Sequence, residues 1–175
     1  MLNGNSREIE AALQEHRIDL GFVEGVFRLP NIKYTTFLED ELVAVVRTGS
    51  RLTVGEEITP EELLHLPLVL RERGSGTLDV FERALQQHNI KLSSLQVLMY
   101  LGSTESIKLF LEHTDCLGIV SIRSIIRELY SGQLRVVEIK GMPMLRDFSF
   151  AQPQGQESGL AQVFMQFAMH NNNKL

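Results

Sequence analysis

Gly74-Ser75-Gly76-Thr77 is the segment of this chain whose residue types best suit chemistry with a small molecule. It follows a short apolar run, Leu68 to Leu70, and precedes Leu78, Phe81 and Leu85 at helical spacing. A strand that opens through glycine and hydroxyl residues onto a helix leaves backbone N–H groups unpaired at the helix start. Those amides, together with the helix dipole, attract an anion or a carbonyl. An ordinary strand-to-helix turn capped by Ser75 or Thr77 uses the same residues, so this segment alone leaves both readings open. The device recurs, however. Gly102-Ser103-Thr104 joins an apolar run, Leu95 to Leu101, to a helix pattern with Ile107, Phe110 and Leu111 on one face. Asn5 and Ser6 open a third helix, with Ile9, Ala12 and Leu13 inward. Arg71, at the end of the Leu68 run, suits bidentate pairing with a carboxylate or sulfate; its alternative is a salt bridge to Glu72 or Glu82.

Catalytic chemistry lacks its residues. There is no Gly-x-Ser-x-Gly elbow, no Gly-x-x-x-x-Gly-Lys phosphate loop and no Gly-x-Gly-x-x-Gly fingerprint. The five histidines sit at or near helix ends, where they complement the dipole. Asp19, Glu24 and the run Glu39-Asp40-Glu41 read as a solvated face. The single cysteine, Cys116, opens an apolar run and reads as a packed, inert thiol, and no metal-type Cys/His spacing occurs. No metal or cofactor is expected.

The elements that must position these turns alternate along the chain. Apolar strands at Asp19–Val23, Leu42–Val46, Leu68–Leu70, Leu95–Leu101, Leu117–Ser121, Leu134–Ile139 and Arg146–Ala151 are separated by amphipathic helix patterns. Ile32 to Arg47 reads as one extended segment. Thr59-Pro60-Glu61-Glu62 starts a short helix that Pro67 stops, and Gly132 can end another in a left-handed conformation. Leu160, Val163, Phe164, Phe167 and Ala168 make the cleanest apolar face of all. Continuous apolar strands between amphipathic helices predict a parallel sheet covered on both faces. The chain of 175 residues fits one domain or two small lobes, with crossings between lobes expected near Thr48–Arg51 and Met142–Leu145. An apolar share of 43% with 22% charged residues is that of a globular protein. The formal charge of −5, with Lys and Arg scattered singly, excludes a phosphate-backbone footprint, so no DNA binding is expected of this stretch alone. No apolar window of signal-peptide or membrane-spanning length occurs, and a cytoplasmic setting is the simplest expectation.

The order of segments resembles the effector-binding domain of LysR-type transcriptional regulators. The resemblance is carried by Asn5-Ser6 with Ile9–Leu13, Arg17–Val23, Leu42–Val46, Leu68–Thr77, Leu101–Lys108, Cys116–Val120 and Glu128–Leu134. It implies an α/β, two-lobe periplasmic-binding-protein-like (type II) fold whose first lobe is incomplete. Lobe I would comprise 1–46 plus 147–175 and lobe II 47–146. It implies a small-molecule effector held in the cleft between lobes, which Arg71 and the helix starts favour as an anion, with Asn5 and Ser6 serving it from lobe I. From lobe II would come Arg71, Ser75, Gly76, Thr77, Ser103 and Thr104, with Ile119 as a wall or a core residue. No catalysis is implied. The expected partners are further copies of the chain, as a homo-dimer or tetramer, and DNA only through a winged helix-turn-helix outside this stretch. The family's domain opens with a strand, a helix and a second strand that this stretch lacks, so a weakened first lobe or an intermolecular cover is expected. A solute-binding protein of a transport system, or an enzyme on the same fold resembling porphobilinogen deaminase, is the alternative; the first calls for an export signal and the second for a nucleophile.

Overall fold

The computed structural model describes residues 1–25, 28–52, 55–155 and 159–171. They form two compact units. Unit 1 holds residues 1–39, 74–76 and 147–175, and unit 2 holds 40–73 and 77–146.

Unit 1 begins with helix α1 (Ser6–Gln14). Its start is a reciprocal cap: the Asn5 side chain accepts from the Glu8 N–H at 3.1 Å, and Glu8 Oε2 accepts from the Asn5 N–H at 2.9 Å. Strand β1 (Gly21–Gly25) lies antiparallel to the long strand β8 (Leu145–Pro153), Gly21 opposite Ala151 and Gly25 opposite Asp147. On its other side β8 pairs with β2 (Ile32–Arg47). Ile9 and Leu13 of α1 pack with Val23, Ile32 and Ala151 into the core of this unit. Gly21 permits that approach, since a Cβ there would press on Ile9 and Leu13. Helix α5 (Gly159–Asn171) forms where the apolar periodicity places it, but its apolar face is largely uncovered. Only Ala161 of α5 is buried, whereas Leu160, Val163, Phe164 and Phe167 are 56–82% exposed. The Phe164 ring meets that of Phe150 edge-on. Periodicity shows that a helix has an apolar face but not whether anything covers it.

In unit 2, β2 continues from Asp40 and runs antiparallel to both β6 (Leu117–Ser121) and β7 (Leu134–Ile139). Strand β4 (Pro67–Arg71) is parallel to β6 and to β5 (Gln96–Leu101), and the short β3 (Glu57–Ile58) is parallel to β7. The sheet is therefore mixed rather than parallel as predicted, because β2 runs against its neighbours. Helices α2 (Gly76–Gln87) and α3 (Thr104–His113) follow β4 and β5; a 3-10 turn at Ile122–Ile125 and α4 (Ile126–Tyr130) follow β6. The Thr59 helix is a single 3-10 stretch, Glu61–His65, and its reciprocal cap with Glu62 is present. Gly132 takes the left-handed conformation at φ +70°. One buried cluster joins Val45, Val69, Ile107, Leu111, Cys116, Val120, Ile125 and Leu134. Burial pushes the Cys116 thiol up to about 11, which keeps it protonated and unreactive.

Lys108, nearly buried on α3, donates to Glu128 at 2.9 Å and to the Ser124 carbonyl at 3.1 Å, and pairs with Glu105 at 2.8 Å. Burial works against charge on both partners, yet the ion pairs prevail. The ammonium lies above its ordinary 10.5 and the Glu128 carboxyl below its ordinary 4.5. A carboxylate depressed on folding contributes stability above its unfolded value and loses it as pH falls through the folded one. The urea midpoint should therefore drop as pH falls below about 4.5. A Lys108→Met variant should show a shallower acid decline; an identical decline in both proteins would assign the acid sensitivity elsewhere.

Candidate functional site

The three helix starts singled out by composition fall into two groups of neighbours. In unit 1 the segment Gly74–Gly76 sits on the beginning of α1 and the end of β1. The Arg7 N–H donates to the Gly74 carbonyl at 3.3 Å. Gly74 has a φ of +93°, and a side chain there would lie against the Asn5 amide. Gly76 is packed more tightly, since a Cβ would overlap the Glu24 carbonyl. Ser6 Oγ donates to that carbonyl at 2.8 Å and accepts from the Glu24 N–H at 3.3 Å. Ser6 and Gly76 thus meet at Glu24 and Asn5 meets Gly74, with Ser75 between the two glycines and itself buried.

In unit 2 the grouping follows from strand direction. Strands β4, β5 and β6 are parallel, so their carboxyl ends lie along one edge. Arg71 is paired with Leu101 at the ends of β4 and β5, and the Glu72 N–H donates to the Leu101 carbonyl at 3.1 Å. This places the chain after Arg71 and the chain after Leu101 side by side. In open α/β sheets such an edge, lined by helix N-termini, is where ligands bind. Ser103 caps α3, its hydroxyl accepting from the Ser106 N–H at 3.1 Å, and Thr104 is the first helical residue. Thr77 lies in the first turn of α2 and is buried. Arg71 makes the bidentate pair to Glu72, Nε at 2.9 Å and Nη2 at 3.1 Å, that sequence analysis held as its alternative role. Ile119 lies inside β6 opposite Ala44 and is buried.

Three residues outside the sequence-derived candidates, Asp40, Ser121 and Arg146, stand beside this edge. Arg146 Nε donates to Asp40 Oδ2 at 2.8 Å, and its Nη1 donates to Thr77 Oγ1 at 2.9 Å. Ser121 Oγ donates to Asp40 Oδ1 at 2.7 Å. The side chains of Asp40 and Arg146 are 0% and 2% exposed. Asp40 is thus not part of a solvated face. It is the buried acceptor of a network that ties β2, β6, β8 and the first turn of α2 together. Nothing in Glu39-Asp40-Glu41 distinguishes the middle carboxylate except its place in the alternation of a strand, and its partner lies 106 residues away. A cation balanced in this way positions Thr77 without carrying net charge to a ligand.

A family model described as the LysR substrate binding domain matches residues 1–172. The chain belongs to that family. Among relatives of this LysR domain, the transcriptional regulator YeiE of Escherichia coli K12 is 36% identical over 136 residues, 78% of this chain and 45% of that protein. The transcriptional activator CmpR of Synechocystis (PCC 6803) is 29% identical over 165 residues, 94% of this chain and 53% of that protein. The chain therefore spans about half the length of the curated relatives it matches. The regulatory domain of Synechocystis CcmR, solved in complex with 2-PG, superposes with a TM-score of 0.81 at 24% identity over 95% of this chain and 79% of that one. The effector-binding domain of QuiR, solved with shikimate, gives 0.81 at 19% identity over 98% and 79%. These likenesses show a periplasmic-binding-protein-like type II fold. Among the described residues no helix is long and apolar enough to cross a membrane.

Proposed function

We infer that this domain is the effector-sensing part of a LysR-type transcription regulator and that it performs no catalysis. The observation that carries this reading is the shared edge of β4, β5 and β6. Two helices of ten and twelve residues begin there through Ser103-Thr104 and Gly76-Thr77. Helix-start amides and hydroxyls gathered at one edge suit a small anion, and they supply neither a nucleophile nor a general base. The contacts we assign to the effector are Asn5, Ser6, Ser75 and Gly76 in unit 1 and Arg71, Thr77, Ser103 and Thr104 in unit 2, with Ile119 as apolar backing. Unit 1 corresponds to the first lobe and unit 2 to the second. Family membership and the ligands named for CcmR and QuiR support a small polar metabolite as the effector class.

An effector acts on the longer protein only through different affinities for its arrangements, which the DNA-binding domains of a cytoplasmic homo-dimer or tetramer then read. Binding is tested by thermal unfolding against a panel of sulfate, phosphate, shikimate and small carboxylates. A ligand at 100 times its Kd adds about 2.7 kcal/mol to stability, so at least one anion should raise the melting temperature in proportion to the logarithm of its concentration. Ser103→Ala, which removes the α3 cap hydroxyl, should weaken that anion about tenfold, in line with loss of a charge-assisted hydrogen bond. A panel with no stabilising anion, or an unchanged Kd in the variant, would count against the reading.

A further inference from the structure

A further arginine, Arg123, stands at the carboxyl end of β6. The strand ends at Ser121, and the 3-10 turn Ile122–Ile125 follows directly. The turn is pinned at both sides of the arginine. Ser121 Oγ accepts from the Arg123 N–H at 3.2 Å, and Ser124 Oγ donates to the Ser121 carbonyl at 2.7 Å. Because β6 runs parallel to β4, this turn lies on the edge from which the chain leads into α2.

The Arg123 side chain reaches the same carboxylate that Thr77 reaches through Arg146. Arg123 Nε lies 4.0 Å from Asp40 Oδ1, while Arg146 joins Asp40 Oδ2 to Thr77 Oγ1 through donors at 2.8 and 2.9 Å. One carboxylate and one guanidinium thus separate Arg123 from Thr77, all within unit 2.

What holds the arginines of this edge differs. Arg71 forks onto Glu72, and Arg146 is shared between Asp40 and Thr77. Asp40 already accepts at both oxygens, from Ser121 at 2.7 Å and from Arg146 at 2.8 Å. Arg123 at 4.0 Å is beyond hydrogen-bond length, and its side chain is 56% exposed. Glu39 and Glu41 point to the other face of β2 by the alternation of a strand. Two guanidinium charges therefore face one carboxylate, and the surplus positive charge sits on the exposed partner. A pair this long and this exposed is weak. Arg123 can turn to an incoming anion while Asp40 keeps Arg146 and Ser121.

Resting on the effector site assigned above, we propose that Arg123 is its specificity-determining cation. Its guanidinium fork pairs with a carboxylate, sulfate or phosphate group of an effector bound at the start of α2. The 15N-labelled chain is titrated with sulfate, phosphate and shikimate at low ionic strength, as the natural sequence and as Arg123→Gln, Arg123→Lys and Arg127→Gln. With at least one of these anions, the Arg123 Nε–H signal should shift saturably together with the amides of Thr77 and Leu78. Arg123→Gln should weaken that anion about tenfold, the loss of a charge-assisted hydrogen bond. Arg123→Lys, which keeps the charge but not the fork, should recover only part of the loss. Arg127→Gln removes the same charge from an exposed residue one turn further on and should cost less than about twofold. Amide shifts at 77–78 with an unmoved Arg123 signal, or an unchanged Kd in Arg123→Gln, would overturn the proposal and leave the effector site standing. Equal losses in Arg123→Gln and Arg127→Gln would also overturn it, in favour of a general field. No saturable shift at these amides with any of the three anions would take down the site and the proposal together.

Discussion

Arg146→Ala is expected to lower the unfolding free energy by about 3–5 kcal/mol, read as a reduced urea midpoint. The guanidinium is 2% exposed and Asp40 fully buried, so truncation leaves a carboxylate without water and without its cation. Ser121 would remain as a donor at 2.7 Å, while Arg123, at 4.0 Å and more than half exposed, is a poor replacement. The loss also frees the Thr77 hydroxyl from Arg146 Nη1 and so unsettles the start of α2. Desolvated pairs are costly to break and cheap to replace together. The double variant Arg146→Met, Asp40→Leu should therefore be less destabilised than Arg146→Ala alone, a non-additivity expected of residues in contact. A cost below about 1 kcal/mol for Arg146→Ala would place the pair among the weak, solvent-screened bridges instead.

Gly76→Ala should cost about 1–3 kcal/mol and weaken anion binding by more than tenfold. The added carbon would overlap the carbonyl group of Glu24 and press on its side chain, and a backbone group cannot turn aside as a flexible side chain can. Relief requires segment 74–76 to lift from α1 and β1, which strains the Arg7-to-Gly74 hydrogen bond and moves the Ser75 and Gly76 amides. Gly102→Ala is the matched control. It alters the glycine of the other turn, where a Cβ meets nothing within 4 Å, and should change stability by less than about 0.5 kcal/mol. Equal effects at both glycines would show that turn composition, not the close approach to Glu24, sets the cost.

Local features were the most legible. The Asn5 cap, the Thr59–Glu62 cap, the left-handed Gly132 and the extended run Ile32–Arg47 all follow from neighbours within a few residues, and the structure contains each of them. Features decided by distant residues were not. The direction of β2 against β6 and β7 depends on where the chain returns, which an apolar run does not encode. The α5 face was readable as apolar, but its exposure depends on what lies opposite. Asp40 looked like one of three surface acids until Arg146 arrived beside it. For the candidate site, the turns at 74–77 and 102–104 were visible because small and hydroxyl residues cluster there for a local reason. The polar network behind Thr77 was not, since its members are single residues at positions 40, 121 and 146. Arg71 shows the converse, a residue whose adjacent partner Glu72 was visible as one of two roles.

The most direct test of the account is a backbone-amide titration of the 15N-labelled chain with the anions of the melting panel. At saturation with at least one of them, the largest shifts should fall on the amides of Ser6 and Arg7, Ser75 to Leu78, and Ser103 to Glu105, which are the three helix starts. Shifts confined to other segments, or no saturable shift at these amides with any anion, would contradict the claim that this domain senses an effector there.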